Sequence, residues 1–202
     1  MACTNNKSET TLAGESGSLL SNKNLESQKR VITTHDAQGR SIFDKSLPER
    51  VSATILPSGT TFGLCYATSA SPIQMNDDMD IQEFSRILST DGLGLMIHGG
   101  TVLRHVDIQP GRLSSMHRTM SLDYGVVLQG EVELLLDSGE VRLLAAGDVA
   151  VQRGTMHAWR NPSDTIVARM LFVLISAFPL KIDGKVLDED PGDLPVKASS
   201  DV

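Results

Sequence analysis

Two histidines and an aspartate are the side chains in this sequence whose types and spacing best suit proton transfer or metal binding. His117 and Asp123 lie in a first motif, residues 111–130, and His157 lies in a second, residues 147–161. A neutral imidazole is the natural proton carrier near pH 7, and imidazoles and carboxylates are also common metal ligands. The sequence therefore predicts one site that uses all three side chains, either as catalytic groups or as metal ligands.

An antiparallel sheet would bring the two motifs together. Side chains alternate along an extended strand, so His117, Thr119 and Asp123 share one face. The residues between the motifs, 131–144, form two apolar runs around a turn at 137–139, which is the signal of a β-hairpin. If this hairpin closes into a small barrel, both imidazoles and the carboxylate point into its interior.

Further side chains are candidates for contacting a substrate inside such a barrel: Thr119, Ser121, Arg153, Trp159 and His105. Thr119 and Ser121 share the inward face with Asp123 and can hydrogen-bond a polar ligand. Trp159 has the parity of His157, so it either walls the pocket or packs in the core. Arg153 lies next to the turn glycine at the barrel mouth, where it either meets an acidic substrate or is a solvated loop charge. His105 shares the parity of Asp107 on the strand before the motifs and is a candidate for facing the cavity.

At these residues the chain resembles the cupin superfamily. The first cupin motif is written G-x5-H-x-H-x3-4-E-x6-G, and the second ends in Gly, His and Asn at fixed spacing. The matching positions here are Gly111, His117, Asp123, Gly130, Gly154, His157 and Asn161. The resemblance implies an all-β fold, the cupin double-stranded β-helix or jelly-roll barrel. It also implies a homodimer, since cupin dimers commonly exchange N-terminal strands.

Departures from the cupin pattern leave two interpretations of the site open. A metal-binding cupin offers three histidines and one glutamate, but this chain has Thr119 at the second histidine, Asp123 at the glutamate and Gln152 where proline is usual. In one interpretation, His117, Asp123 and His157 form a 2-His-1-carboxylate triad for a divalent metal, namely Fe, Mn, Zn or Ni. In the other, the site has lost its metal and the same groups perform metal-free acid–base chemistry.

The remainder of the chain is expected to support this barrel. We predict a disordered tail over residues 1–27, N-terminal strands and one short helix over 28–100, the barrel core over 101–180 and a loose C-terminal tail over 181–202. Strands are indicated within 30–43 and 61–68. The segment from Asp80 to Glu83 resembles a capping box at the start of the helix.

Composition excludes several classes of partner. A formal net charge of -7 and an isoelectric point near 5.2 argue against binding to nucleic acid phosphates. The longest apolar run, 168–180, is interrupted by Arg169 and Ser176 and is too short to span a bilayer. The first residues lack the apolar segment of a secretory signal. We therefore expect a cytoplasmic protein that binds a small molecule and neither nucleic acid nor a membrane.

The residues of the two motifs are similar to those of cupins found beside fungal polyketide synthases. This resemblance implies a tailoring enzyme of secondary metabolism that acts on a polyketide or aromatic intermediate by redox chemistry, dehydration, decarboxylation or tautomerisation. The glycines of 92–100 lack the spacing of a dinucleotide or phosphate loop, so a partner reductase would supply any hydride. The alternative is a non-catalytic cupin that binds a metabolite or a partner through a degenerate metal site. The sequence does not identify the substrate.

Overall fold

Short strands make up most of the protein. A computed structural model describes residues 25–90 and 92–201. The strands are β1 (Thr33–His35), β2 (Ser41–Phe43), β3 (Ala53–Ile55), β4 (Thr61–Thr68), β5 (Met96–Ile97), β6 (Thr101–Ile108), β7 (Ser121–Gln129), β8 (Glu131–Leu136), β9 (Val141–Ala145), β10 (Val149–Arg153), β11 (His157–Arg160), β12 (Ala168–Ser176), β13 (Leu180–Ile182), β14 (Lys185–Leu187) and β15 (Ser199–Ser200). A 3₁₀ turn (Asn76–Asp78) leads into the helix α1 (Met79–Leu88). This confirms the predicted all-β jelly roll with extra N-terminal strands and one short α-helix.

Two antiparallel sheets enclose the core. The larger has six strands in the order β10–β7–β12–β6–β4–β3, and the smaller has three in the order β11–β8–β9. Along β7 and β12 the more buried residues alternate with less buried ones, as expected for strands with one face turned inward. Trp159 on β11 meets Phe172 on β12 edge to face, with 5.6 Å between ring centroids. This contact joins the inner faces of the two sheets.

The predicted strands and hairpin occur where the sequence indicated. The segment 61–68 forms β4, the segment 30–43 contains β1 and β2, and the runs around the turn at 137–139 form the β8–β9 hairpin. β4 pairs along β6 in the large sheet. The large sheet therefore contains strands from both sides of residue 100, which we predicted as the boundary between the N-terminal strands and the barrel core.

Helix α1 packs on β4 through one apolar face. Its buried residues are Ile81, Phe84 and Ile87, and the ring of Phe84 lies 4.5 Å from that of Tyr66. The predicted capping box does not form. The Asp80 carboxylate instead accepts a hydrogen bond from the Tyr66 hydroxyl at 2.6 Å, and Glu83 pairs with Arg86 at 2.7 Å. Among the described residues, no helix has both the length and the apolar character that crossing a membrane requires.

Most of the predicted N-terminal tail, residues 1–24, lies outside the described part of the chain. The last residues of that segment contact the barrel. The Glu26 carbonyl accepts a hydrogen bond from Arg169 at 3.1 Å, and the Ser27 hydroxyl accepts one from Arg50 at 2.6 Å. Residues 26 and 27 are therefore held against the rest of the chain, although we predicted a disordered tail up to residue 27.

The C-terminal segment is not the loose tail that the sequence suggested. β13 and β14 form a hairpin, and β15 pairs in parallel with β5. Between them, the backbone groups of Asp190 and Arg118 exchange hydrogen bonds of 2.7 and 2.9 Å. The physical reason is an apolar alternation among the acidic residues: Leu194 and Val196 pack against the core and Ala198 is buried.

Asn161 ties the two ends of the barrel strands together. Its side chain is fully buried, and its amide nitrogen donates to the carbonyls of Ile108 and Ile166, both at 2.8 Å. Its amide oxygen accepts from the Ser163 backbone N–H at 3.0 Å. Ile108 ends β6 and Ile166 precedes β12, so one side chain satisfies the backbone where these paired strands separate. This gives the asparagine of the second motif a structural role.

We expect Asn161→Ala to lower the free energy of unfolding by about 3 kcal/mol, because it leaves two buried carbonyls without donors. Urea denaturation monitored by circular dichroism measures this change. Asn161→Asp is the matched comparison, since it keeps the shape and the acceptor but loses both donors, and it should destabilise at least as much. A stability within about 0.5 kcal/mol of wild type for either variant would show that these hydrogen bonds contribute little.

Candidate active site

The barrel contains a cavity of about 280 Å³ between the inner faces of its sheets. Its lining is mainly apolar and includes the rings of Phe62, Trp159 and Phe172. The C-terminal residues 193–195 also contribute to the lining. Polar residues interrupt this apolar lining at a few positions: Ser58, Thr60, Arg104, Ser114, Ser115, His117, Thr119, Asp123, His157 and Asp193. An apolar cavity with a small number of placed polar groups is the usual form of a small-molecule site.

Most of the site residues predicted from the sequence line this cavity: His117, Thr119, Asp123, His157 and Trp159. Ser121 is buried directly beside them and hydrogen-bonds to both Thr119 and Asp123. The alternation from residue 117 to 123 therefore does place these side chains on one inward face. Trp159 combines both predicted roles, since it is buried in the core and also walls the cavity. The catalytic and substrate-binding roles of these residues stay predictions.

The two imidazoles lie next to each other at an isolated antiparallel β-bridge, through which the two motifs pair. The backbones of His117 and His157 exchange hydrogen bonds of 2.9 and 3.0 Å. Their rings lie 4.2 Å apart between centroids and are tilted by 51°. The edge of Trp159 lies 6.0 Å from the ring of His157. Backbone pairing thus fixes the spacing of the two rings, and Trp159 supports one of them.

Backbone carbonyls determine which nitrogen of each ring carries the proton. Nδ1 of His117 lies 2.9 Å from the Ser115 carbonyl, and Nδ1 of His157 lies 2.9 Å from the Thr155 carbonyl. A carbonyl oxygen only accepts, so Nδ1 must be the protonated nitrogen in both neutral rings. Nε2 then carries the lone pair. Among the described residues, neither Nε2 has a hydrogen-bond partner, so both lone pairs are available to a bound molecule.

Burial keeps both rings neutral near pH 7. Desolvation lowers the pKa of His117, and it lowers the pKa of His157 to about 3 with a further contribution from the neighbouring His117. The two sites are coupled, because a proton on one ring disfavours a second charge only 4.2 Å away. His117 is the less buried ring, at 8% exposed against 3% for His157, and it is therefore the better proton acceptor. Chemically, the pair offers one proton-accepting position at a time.

Asp123 belongs to a separate hydrogen-bonded chain. The Ser121 hydroxyl lies 2.5 Å from the Asp123 carboxylate and 2.8 Å from the Thr119 hydroxyl. A serine has one proton to donate, so Ser121 donates to Asp123 and accepts from Thr119. Burial nevertheless raises the pKa of Asp123 to about 6, against the lowering effect of these hydroxyls and of the Arg104 charge. The carboxyl group can thus exchange a proton within one or two units of neutral pH.

Arg104 is a cavity residue that the sequence analysis did not identify. It is only 6% exposed on β6, and its guanidinium lies 5.2 Å above the centre of the Phe62 ring. Burial lowers the pKa of Arg104 to about 10, so it remains a cation at neutral pH. The signal that could have found it is its parity with Val102 and Val106, which marks the inward face of β6.

The donor set does not fit the predicted metal triad. Among the described residues, no group of three or more His, Cys, Asp or Glu side chains is arranged to hold a metal ion. The carboxylate of Asp123 accepts a hydrogen bond from Ser121 and, among the described residues, forms none with either imidazole. Asp is one methylene shorter than the glutamate of the family pattern, which limits its reach. Asp123 does not orient either imidazole, since backbone carbonyls accept from both rings.

His105 and Arg153 lie outside the cavity, which corrects their prediction as residues of this pocket. His105 shares the parity of Asp107 as expected, but that parity faces the outer surface of β6, where Nδ1 lies 3.1 Å from the Sγ of Cys65. Arg153 is exposed and has the outward parity of β10, while Gln152 points inward. For His105 the strand alternates as predicted, but the choice of inward face was wrong. Arg153 was predicted at the barrel mouth, but at the end of β10 it is exposed and does not line the cavity.

Comparison with known proteins supports a single family. A family model described as the cupin domain matches residues 104–174. The chain is 52% identical over 163 residues to "Phomopsin biosynthesis cluster protein D" of Diaporthe leptostromiformis, covering 81% of this chain and 86% of that protein. It is 39% identical over 175 residues to "Oryzines biosynthesis cluster protein J" of Aspergillus oryzae, covering 87% and 97%. It is 40% identical over 165 residues to "Cupin-domain-containing oxidoreductase srdB" of Neurospora crassa, covering 82% of each.

The tautomers can be tested directly by NMR. We expect long-range ¹H–¹⁵N spectra at pH 7.5 to show the rings of His117 and His157 neutral, with the proton on Nδ1, because each Nδ1 donates to a carbonyl. At pH 6.5 each ring should still be more neutral than charged, since burial lowers both pKa values below the ordinary 6.5. His117→Gln and His157→Gln assign the signals. A neutral ring with its proton on Nε2, or a ring that is mostly charged at pH 6.5, would contradict the arrangement.

The raised pKa of Asp123 should appear in the pH dependence of stability. Because the folded state holds this proton up to a pKa of about 6, against 3.8 for the ordinary carboxyl, raising the pH through this interval removes stability. The advantage of Asp123→Asn over wild type in the free energy of unfolding should therefore grow by up to about 3 kcal/mol between pH 4 and about pH 7.

Denaturant titrations at several pH values measure this difference. Ser121→Ala removes a hydrogen bond that lowers the pKa of Asp123, so in that background the interval should move to higher pH. An Asp123→Asn advantage that is constant or that shrinks with rising pH would show that the carboxyl is ionised throughout.

Proposed function

The chain belongs to the cupin family, and on this basis we propose that it is a tailoring enzyme of secondary metabolism that transfers protons within a small molecule held in the barrel. The observation that carries the proposal is the facing pair of neutral imidazoles, each with an unoccupied Nε2 lone pair in one apolar cavity. The relatives from the phomopsin and oryzines biosynthesis clusters support a role in secondary metabolism. A polyketide or aromatic intermediate suits the aromatic lining.

The imidazoles suit the removal and return of a proton next to a carbonyl group. Nε2 of His117 takes the proton from carbon, and the electron pair of the broken C–H bond forms the C=C bond of an enolate. The imidazolium then returns the proton to another atom of the same molecule, which completes a tautomerisation. If a β-hydroxyl group is present, the proton instead leaves with that hydroxyl as water, which completes a dehydration. Burial keeps the imidazole unprotonated, so it is ready to accept the proton, and it limits the access of water that would otherwise protonate the enolate.

A redox reaction is the second candidate, because the Neurospora crassa relative is named an oxidoreductase. In that case the imidazoles would carry the proton that accompanies the electrons, and a separate nicotinamide-dependent reductase would supply or accept the hydride. Each reaction has its own mass change. Tautomerisation leaves the mass of the substrate unchanged, dehydration removes one water and a redox step changes the mass by two hydrogens.

The non-catalytic alternative is a cupin that binds a metabolite without converting it. It predicts the same cavity contacts but no product.

The predicted homodimer also stays a prediction. The exposed apolar side chains of Val149 and Val151 on β10, at the edge of the large sheet, are a surface suited to such a contact.

Gene deletion in the source organism, followed by mass spectrometry, should identify the accumulating intermediate as the substrate. We expect the purified protein to convert this intermediate, with deuterium from D₂O entering the product at carbon if tautomerisation is the reaction. His117→Gln should reduce kcat/KM by at least about 100-fold, because it removes the better proton acceptor while keeping a polar side chain of similar size.

Arg153→Gln is the matched control, since this exposed side chain lies outside the cavity, and it should keep full activity. Melting temperatures establish that each variant is folded. Saturable binding of the intermediate without conversion would favour the metabolite-binding alternative. Full activity in a folded His117→Gln, His157→Gln double variant would remove the imidazole pair from the mechanism.

A further inference from the structure

The cavity contains a buried cation that has no ion-pair partner. Arg104 is 6% exposed, and no carboxylate among the described residues lies within ion-pair distance of it. The other largely buried arginine of the sheet, Arg169, is treated differently. It donates two hydrogen bonds of 2.6 Å to the carboxylate of Asp107. The same sheet thus pairs its outward-facing arginine fully and leaves its cavity-facing arginine without a counter-ion.

The hydrogen-bonding groups of Arg104 are also largely unused. A guanidinium has five N–H donors, and here Nη2 donates to the Gly94 carbonyl at 2.9 Å. Nε is buried without a hydrogen-bond partner among the described residues. Burying a charge without partners is costly unless a ligand supplies them. The face of the Phe62 ring offsets part of this cost but gives no acceptor to the in-plane Nε–H.

The nearest acid of the cavity does not take this role. Asp123 attracts Arg104 electrostatically, but its carboxylate accepts a hydrogen bond from Ser121 and forms no ion pair with Arg104. Asp193 also lines the cavity, but it is an exposed residue of the C-terminal segment, where solvent screens its charge. A negative group that enters the cavity would therefore find donors on Arg104 that no protein carboxylate occupies.

Aromatic side chains extend from the strand position opposite Arg104 to the imidazoles. Phe172 is the cross-strand partner of Arg104, its ring meets Trp159 at 5.6 Å, and Trp159 meets His157 at 6.0 Å. All four residues line the same cavity. A flat molecule lying along Phe172 and Trp159 would thus have one end at the guanidinium and its other end at the imidazoles.

We propose that Arg104 binds a carboxylate of the ligand, so that the cavity selects small aromatic or conjugated carboxylic acids. The inference rests on the proposed function, because it names the class of molecule that the imidazoles would act on. Arg104 is then the residue that determines specificity, and it holds the acid group at the end of the cavity away from proton transfer. An aldehyde, ketone or amide of the same shape lacks the charge and leaves the guanidinium unpaired.

Ligand binding tests this without any turnover. Trp159 is the only tryptophan of the chain and lines the cavity, so its fluorescence reports occupancy. Benzoate and benzamide, titrated at pH 7.5 and constant ionic strength, have nearly the same shape and differ in charge. Wild type should bind benzoate at least about tenfold more tightly than benzamide, as expected for a charge-assisted hydrogen bond. Calorimetric titration provides the same ratio independently of fluorescence.

Three variants test whether Arg104 causes the preference for benzoate over benzamide. Arg104→Met keeps the length of the side chain but removes the charge, and it should bring the benzoate-to-benzamide ratio to within about twofold of one. Arg104→Lys should keep a preference for benzoate, and Arg153→Met, which removes an exposed cation outside the cavity, should match wild type. Equal binding of the two probes to wild type, or a benzoate preference that survives in folded Arg104→Met, would overturn the proposal. If Arg104→Met does not fold, the wild-type ratio together with Arg104→Lys decides.

The outcome is separable from that of the proposed reaction. His117→Gln should keep the benzoate preference even though it loses activity, because the carboxylate contact is made by Arg104. A benzoate preference without any conversion of the natural intermediate would support the ligand class and the metabolite-binding alternative together. Conversion of the intermediate by wild type without a charge preference would leave the imidazole mechanism in place and remove the carboxylate contact.

Discussion

Burial of ionisable side chains in a mainly apolar barrel interior is the constraint on which the properties of this site depend. The cavity wall is mainly apolar, so each ionisable side chain must lose its charge, find a fixed partner or remain an unpaired ion at a cost. The imidazoles lose their charge, with Nδ1 directed to a carbonyl and the Nε2 lone pair left free. The carboxylate of Asp123 is partly stabilised by the Ser121 and Thr119 hydroxyls and by the Arg104 charge, but it keeps a raised pKa because it is buried. Arg104 cannot lose its proton near neutral pH and therefore remains a cation that lacks a counter-ion. The reactivity and the ligand preference that we infer are consequences of the same desolvation.

Much of the barrel and of its polar interior could be predicted, because strand periodicity is a strong local signal. Alternation alone placed His117, Thr119 and Asp123 on one face, and the hairpin between the motifs returned the chain so that His157 could meet His117. The strands β4 and β6 could be predicted because they are runs of strand-forming residues between turn residues. These features depend on residues that are close in sequence, and the spacing of the two motifs provided the remaining long-range contact.

What could not be predicted depends on packing between distant segments. Periodicity shows which residues share a face of β6, but it does not show which face turns inward, and His105 was chosen where Arg104 faces the cavity. The C-terminal segment is acidic and contains proline, which favours a loose tail. Its alternating Leu194, Val196 and Ala198 can pack against the core only because β15 pairs with β5, which is distant in sequence. Likewise, a carboxylate on the inward face of β7 could have turned to the imidazoles or to Ser121, and that choice depends on side-chain length and rotamer. Short-range patterns contain none of this information.

The replaced positions of the cupin pattern behave as one connected unit. Thr119 stands at the second histidine and Asp123 at the glutamate, and Ser121 between them accepts from the first hydroxyl and donates to the carboxylate. Restoring a histidine at 119 alone would remove the donor to Ser121 while leaving the Asp123 carboxylate engaged, so it would not by itself recreate a four-ligand set. Conversely, the pair that remains, His117 and His157, needs neither replaced residue for its orientation, since backbone carbonyls hold both rings. The loss of two metal-ligand positions and the retention of two well-oriented bases are therefore compatible within one barrel, because different groups of the chain support each.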